Sequence, residues 1–244
     1  MKNIAVFYLI GQFESWWDTD FYLPQIELLK KSGLYENIDF IDIFVAGGKS
    51  ALPVIPDRIR NISYCSVPLK EESQAMQAIW DFASNNPGYK ILFFHSEGVT
   101  HLHQTTKENK LAWRRHLEYC NIELWPNCIE LLNFYDCLGA DYIHQCTFSN
   151  GETVIRAPHY PGFFWWANSN YIRRLNRNYF NQNVPWSRYL AELWIGSEDP
   201  RYYCMNKVDH NFYFSPPFNF DPIEIKQKNT EHLKKLKINT RGVL

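Results

Sequence analysis

Ile4 to Ile10 is an unbroken apolar run closed by Gly11, and Lys90 to His95 is a second such run. Runs with no polar face suit strands covered on both sides, as in the middle of a parallel sheet. Between them the periodicity changes. Phe21 to Lys31 separates Leu23 and Ile26 from Glu27 and Lys30, with Gly33 placed to end a helix. Ile38 to Val45 is a β-rich run stopped by Gly47 and Gly48, and Ile62 to Val67 is a shorter one. Lys70 to Asn85 carries Ala75, Ala78, Ile79 and Phe82 on one helical face, ended by Pro87 and Gly88. The order β-α-β-β-α-β predicts an α/β fold with a mixed, mostly parallel sheet and flanking helices.

Further on, Thr106 to Cys120 has helical spacing, and Pro126 opens a short helix through Asn133. Gly139 to Cys146 is a candidate strand, and Ser149, Asn150 and Gly151 mark a turn. Ser169 to Leu175 and Ser187 to Ile195 are candidate helices. From Asp221 the tail holds six Lys/Arg against three Asp/Glu, which predicts a solvated terminal helix or a frayed end. No repeat or linker divides the chain. The expected organisation is one domain, with a nucleotide-binding type of half at 1–104, an acceptor-binding half at 105–220 and a basic tail at 221–244.

Composition excludes several classes. The net charge of −1 supplies no field for nucleic acid. No apolar run is long enough to span a membrane. Met1 to Ile10 has the lysine and short apolar run of a weak signal peptide, but Gly11 to Glu14 lacks a small-residue cleavage site, so a buried first strand is expected. The six cysteines form no C-x-x-C pair and no common zinc spacing. They read as reduced, mostly buried thiols of a cytoplasmic protein.

In an open α/β sheet, ligands bind beyond the carboxyl ends of the strands. Ile10 and Gly11 with the loop to Asp20 fall there, as does His95 to His101. The first loop has no G-x-G-x-x-G and the chain has no P-loop, so dinucleotide binding and P-loop phosphoryl transfer are not expected. Asp18 and Asp20 form a D-x-D triplet that suits either a divalent cation or the start of a helix. His95, Glu97 and Gly98 can position a phosphate or a sugar hydroxyl, or form a plain polar turn. Glu192 lies one helical turn from Arg188, so it is either half of an ion pair or a half-buried base. Asp136 is either a second carboxylate near a strand start or a turn aspartate.

His159 to Asn168 packs five aromatic rings, a histidine, a glycine and an amide into ten residues, among them Gly162, Trp165 and Trp166. The segment is either a core strand or a surface for sugars, whose C–H faces stack on rings and whose hydroxyls seek polar partners. The aromatic share of the chain, 17%, is high and does not separate the two.

Several segments then occur in a telling order: Ser32 to Tyr35, Phe94 to Val99, Trp113 and Arg114, Cys128 to Gly139, His159 to Ala167, and Ala191 to Ile195. Together, over about residues 3 to 196, they are similar to a family of small glycosyltransferase-like proteins of bacteria and large DNA viruses, which resemble nucleotide-sugar transferases of the GT-A fold. The resemblance implies a UDP- or GDP-sugar donor and a glycan or glycoconjugate acceptor. It places Ile10, Gly11, His95, Glu97 and Gly98 at the donor. His159, Gly162, Trp165, Trp166 and Asn168 fall at the acceptor or sugar rings, and Glu192 or Asp136 at the acceptor hydroxyl as general base. The chain departs from the pattern twice. Glu97 stands where the family has lysine, and Gly162-Phe163-Phe164-Trp165-Trp166 replaces Gly-Asn-Phe-Trp-Trp. The D-x-D after the middle strand of GT-A enzymes is missing, with His95-Ser96-Glu97 in its place. A metal-independent route, or Mn²⁺ or Mg²⁺ held by Glu97 and His95, fits that departure. A carbohydrate-binding module without turnover is the alternative. A glycoside hydrolase, with two carboxylates ~5–9.5 Å apart, fits the strand pattern least.

Overall fold

The first apolar run becomes the middle of a seven-stranded sheet in the computed structural model, which describes residues 3–12, 18–47, 51–65, 71–96, 107–144, 146–147, 153–154, 158–181, 190–208 and 219–241. Strand β1 (Ile4–Gln12) is buried along its whole length. It pairs in parallel with β2 (Phe40–Gly47) on one side and β4 (Lys90–His95) on the other. Strand β3 (Ile59–Tyr64) continues the parallel register beyond β2 at one edge. On the far side of β4 come β5 (Cys137–Gly139), β8 (Trp165–Asn168) and β9 (Tyr202–Cys204), in the order β3-β2-β1-β4-β8-β5-β9. Only β8 runs against the others, since it is antiparallel to both neighbours while β5 and β9 are parallel to each other. The remaining two strands, β6 (Cys146–Thr147) and β7 (Thr153–Val154), form a separate antiparallel pair. The expected mixed, mostly parallel α/β sheet is present.

Side chains of β1 alternate between two cores, as the two-residue period of a strand requires. Ile4, Val6, Tyr8 and Ile10 face one side. They meet α1 (Leu23–Lys31), α3 (Lys107–Glu118), α4 (Trp125–Leu131) and α7 (Pro222–Arg241). Ala5, Phe7 and Leu9 face the other side. They meet α2 (Glu71–Asn85), α5 (Ser169–Ile172) and α6 (Leu190–Leu193). Burying each Leu- or Phe-sized side chain contributes ~1.5–3 kcal/mol, so the two-sided coverage of β1 is the main reason it is central.

Three expectations shift. The strand expected at Gly139 to Cys146 instead ends at Gly139, where a Cβ would lie 2.5 Å from the Tyr160 ring and 2.8 Å from the Phe164 carbonyl oxygen. The helix expected from Phe21 begins as a π turn, Asp18–Tyr22, and its regular part has Tyr22 as an N-cap without a side-chain capping bond, its hydroxyl donating instead to the Val54 carbonyl at 2.5 Å. The basic tail is a docked helix, not a frayed end. Ile225, Asn229 and Leu233, spaced by four, are buried on one stripe of α7. Asn229 Nδ2 donates to the Met205 carbonyl at 3.0 Å, and His232 stacks on Tyr203 with 4.7 Å between ring centroids. Cys65, Cys120, Cys128, Cys137 and Cys204 are free thiols, and burial pushes Cys137 up to about 12. Among the described residues no helix is long and apolar enough to cross a membrane.

Candidate functional site

The strand order turns around between β1 and β4. From β1 the chain builds outward to β2 and β3, then returns to place β4 on β1's other side. Such a switch point leaves a crevice beyond the carboxyl ends of the two strands. At this end Gly11 N–H donates to Ser96 Oγ at 2.9 Å, and Ser96 N–H donates to the Leu9 carbonyl at 3.1 Å. Ser96 is buried, so these bonds fix how the chain leaves both strands. His95 follows in half-buried surroundings, its ring 5.6 Å from Phe163 and 6.1 Å from Phe164.

The aromatic segment therefore does reach the end of β4, through its phenylalanines. Tyr160 to Phe163 form a turn closed by Phe163 N–H to the Tyr160 carbonyl at 3.4 Å. Pro161 precedes Gly162, whose φ of +82° suits the third position of a type II turn. A Cβ on Gly162 would also meet Leu117 Cδ1 at 2.6 Å and Trp113 Nε1 at 3.1 Å, so glycine is required twice. Phe163 then takes φ +56°, the left-handed region, which costs a non-glycine residue about 1–2 kcal/mol. Glu192 completes the turn by accepting Gly162 N–H at 3.1 Å. His95, Gly162, Phe163 and Glu192 are all partly exposed.

A buried polar chain lies beneath the same edge. Tyr8 OH donates to Gln25 Oε1 at 2.5 Å, and Gln25 Nε2 donates to Glu118 Oε1 at 3.0 Å and toward the His95 carbonyl at 3.5 Å. Arg114 Nε lies 3.6 Å from Glu118 Oε1, one turn along α3. Burial raises the Glu118 carboxyl above the usual range, with Arg114 and the Gln25 bond offsetting part of the rise. The Tyr8 hydroxyl is raised by burial and then by Glu118.

The remaining expected site residues are elsewhere. Trp165 and Trp166 are buried, at 1% and 0% exposure, and lie on opposite faces of the sheet. Trp166 Nε1 donates to the Asn121 carbonyl at 2.8 Å inside the core. Neither indole presents a face to a sugar, because alternation along β8 sends each into one of the two cores. Ile10 is a core side chain as well, so at best its backbone meets a ligand. His159 is 3% exposed and joined through its backbone to Ile143, which removes it from the surface.

Asp136 and Asn168 lie at the opposite edge. Asn168 pairs with Lys90, the first residue of β4, and its N–H donates to the Asp136 carbonyl at 3.0 Å. Lys90 and His95 are five strand steps apart, about 17 Å. Asp136 Oδ1 accepts Arg201 Nη2 at 3.0 Å, Oδ2 accepts the Arg201 N–H at 3.0 Å, and Arg174 adds its charge at 3.7 Å. Burial alone would raise this carboxyl, but the Arg201 bonds and charge outweigh it and hold Asp136 low. Asp136 is a structural anchor and cannot serve the carboxyl edge. A groove lined by Asp39, Phe40, Asp57, Arg58, Ile59 and Arg60 is at that far edge too. Its charges are committed, Arg60 to Asp42 and Phe40, Asp57 to Tyr35.

Glu97, Gly98 and Arg188 lie outside the described residues, as does the Asp18 side chain. Among the described residues no group of three or more His, Cys, Asp or Glu side chains could hold a metal ion. The expected pair of His95 and Glu97 is thus represented by His95 alone. Ser96, Gln25, Arg114, Glu118 and Phe163 belong to this edge and had no site role assigned from the sequence. One cue for them was legible, the stripe Lys110, Arg114, Glu118 at spacings of four.

With this geometry, two solved structures are similar to the chain. One is the crystal structure of 4-diphosphocytidyl-2C-methyl-D-erythritolsynthase from Anaerococcus prevotii DSM 20548, at 11% identity over 92% of this chain and 97% of that one, with a TM-score of 0.43. The other is HddC from Yersinia pseudotuberculosis, at 10% identity over 82% and 88% respectively, also with a TM-score of 0.43. No curated protein matches the chain. The family model described as Domain of unknown function (DUF8361) matches residues 59–184, just over half of the sequence, and the chain belongs to that family.

Proposed function

We propose that this protein is a nucleotide-sugar-dependent glycosyltransferase that holds a UDP- or GDP-sugar over the carboxyl ends of β1 and β4. The observation that supports this most is the meeting of His95, Phe163 and the Glu192-anchored turn at the switch point of a mostly parallel sheet. Phe163 offers the partly exposed ring that the buried indoles do not, and a sugar C–H face can pack on it. His95 offers ring nitrogens to hydroxyl or phosphate oxygens. Of the two carboxylates expected to act as base, Glu192 is the one at this edge, where it accepts the Gly162 N–H.

In the proposed reaction the acceptor oxygen bonds to the anomeric carbon as the bond from that carbon to the phosphate oxygen breaks. The acceptor proton passes to Glu192, and the nucleoside diphosphate departs with the bonding electron pair. General-base assistance of this kind contributes typically ~10²–10⁴-fold.

Glu192→Gln tests the assignment. A glutamine carbonyl still accepts Gly162 N–H, so the turn survives while the base is lost. With a panel of UDP- and GDP-sugars and glycan acceptors, kcat is expected to fall about 100-fold or more with KM little changed. Full activity in the variant would remove Glu192 from the mechanism. Oligosaccharide binding by the wild type without affinity for any nucleotide would replace the enzyme reading with a carbohydrate-binding module.

A further inference from the structure

We infer that Arg114, on α3, forms a diphosphate-binding wall of the crevice above β1 and β4. This deepens the donor-binding part of the reading above and rests on the same site. The placement follows from what α3 and the turn after it touch. Asn121, just past α3, receives the indole N–H of Trp166, which pairs with Leu92 well inside the sheet. Leu117 and Trp113 press on Gly162, at the carboxyl edge. Toward its N-terminus the helix therefore climbs out of the sheet layer toward the crevice. Arg114 stands about 6 Å along the axis from Glu118 in that direction, and Lys110 about 6 Å further.

The side chains there are unusual. Lys110, one turn ahead of Arg114, is 7% exposed. The Arg114 guanidinium lies 4.3 Å over the Phe21 ring and is held at one side by Glu118. Its Nη1 is buried and meets no acceptor among the described residues. A buried guanidinium nitrogen without an acceptor is costly, and a bound oxyanion removes that cost. Glu118 is the acid that the described contacts give Arg114, and it also answers Gln25. Two π turns bracket the cluster, Asp18–Tyr22 before Gln25 and Tyr119–Glu123 after Glu118, and such turns gather at functional sites. Arginine's planar fork suits two oxygens of a phosphate.

Calorimetry with inorganic pyrophosphate, and separately with a UDP-sugar, tests this on the full chain. Wild type is expected to bind pyrophosphate. Arg114→Met is expected to weaken it at least about tenfold, the loss of one charge-assisted hydrogen bond. Arg114→Lys should recover part of the loss, and should carry the test if the methionine variant does not fold. Arg58→Met, at the far edge, should bind as wild type does. Wild type that ignores pyrophosphate, or an Arg114 variant that binds it unchanged, would overturn the inference. Arg114-dependent pyrophosphate binding with no response to any nucleotide-sugar would keep the anion site and remove the glycosyl-transfer reading.

Discussion

The two ends of the central sheet treat their polar groups in opposite ways. At the end where β4 begins, every charge named has been answered. Asp136 is held by Arg201 and Arg174, Asn168 Nδ2 donates to the Leu132 and Tyr135 carbonyls, and Asp57 takes the Tyr35 hydroxyl. At the end where β4 stops, Phe163 is strained, Arg114 has a buried nitrogen that meets no acceptor among the described residues, and Glu118 is buried with its carboxyl raised. Buried polar groups are costly unless paired, and strain persists only where its surroundings impose it. A carboxylate in a sequence therefore says little about chemistry until its partners are known. Asp136 and Glu192 looked alike as candidates, and their locations separate them.

The largest expected effect tests whether the indoles belong to the scaffold. Trp166→Ala should cost about 3–5 kcal/mol in urea unfolding, because it empties a fully buried site. A stable variant that lost only ligand affinity would return the indole to the binding surface. Asp136→Asn should cost about 1–2 kcal/mol and leave transfer activity intact. Its pH dependence has a definite sign. The folded-state pKa is depressed, so the stabilisation is present above the ordinary carboxylate range and is lost as pH falls through the folded pKa. Unfolding curves of wild type and variant should converge below about pH 4.

Glu118 should show the reverse dependence. Its folded pKa is raised, so its contribution is complete below the unfolded value and is lost as pH rises through the folded one. Relative to Glu118→Gln, wild type should lose stability as pH climbs from about 4 toward neutrality. A constant difference over that range would mean that the carboxylate is already well compensated. The smallest change expected in stability is that of Phe163→Gly, within about 1 kcal/mol, as relief of the left-handed φ offsets lost ring contact. Its effect on sugar binding should be plain in the same titrations. Strong destabilisation without loss of binding would make Phe163 a core residue.

Much of the sheet was legible because its signal is local. The unbroken runs at Ile4 and Lys90 marked the central strands, and the limits of β4 coincide with the apolar run from Lys90 to His95. The short strands of the second half were not legible, since β5 and β9 hold three residues each and owe their place to pairing with distant partners. The aromatic block misled for a related reason. Within four residues of β8 the side chains enter both cores, so a Trp-Trp pair sends one ring to each face and neither to solvent. The partly exposed ring that reaches His95 is that of Phe163, and its position depends on a turn geometry set by Gly162 and on a carboxylate thirty residues away. Long-range placements of this kind, like that of Glu118 against Gln25, carry no sequence periodicity.

The most direct test of where the chemistry sits is a crystal structure grown with a UDP- or GDP-sugar at saturating concentration. Density for the diphosphate is expected beside Arg114, and for the sugar between His95 and Phe163. Ligand in the Asp57–Arg60 groove, or anywhere along the edge that carries Asp136, would contradict this placement.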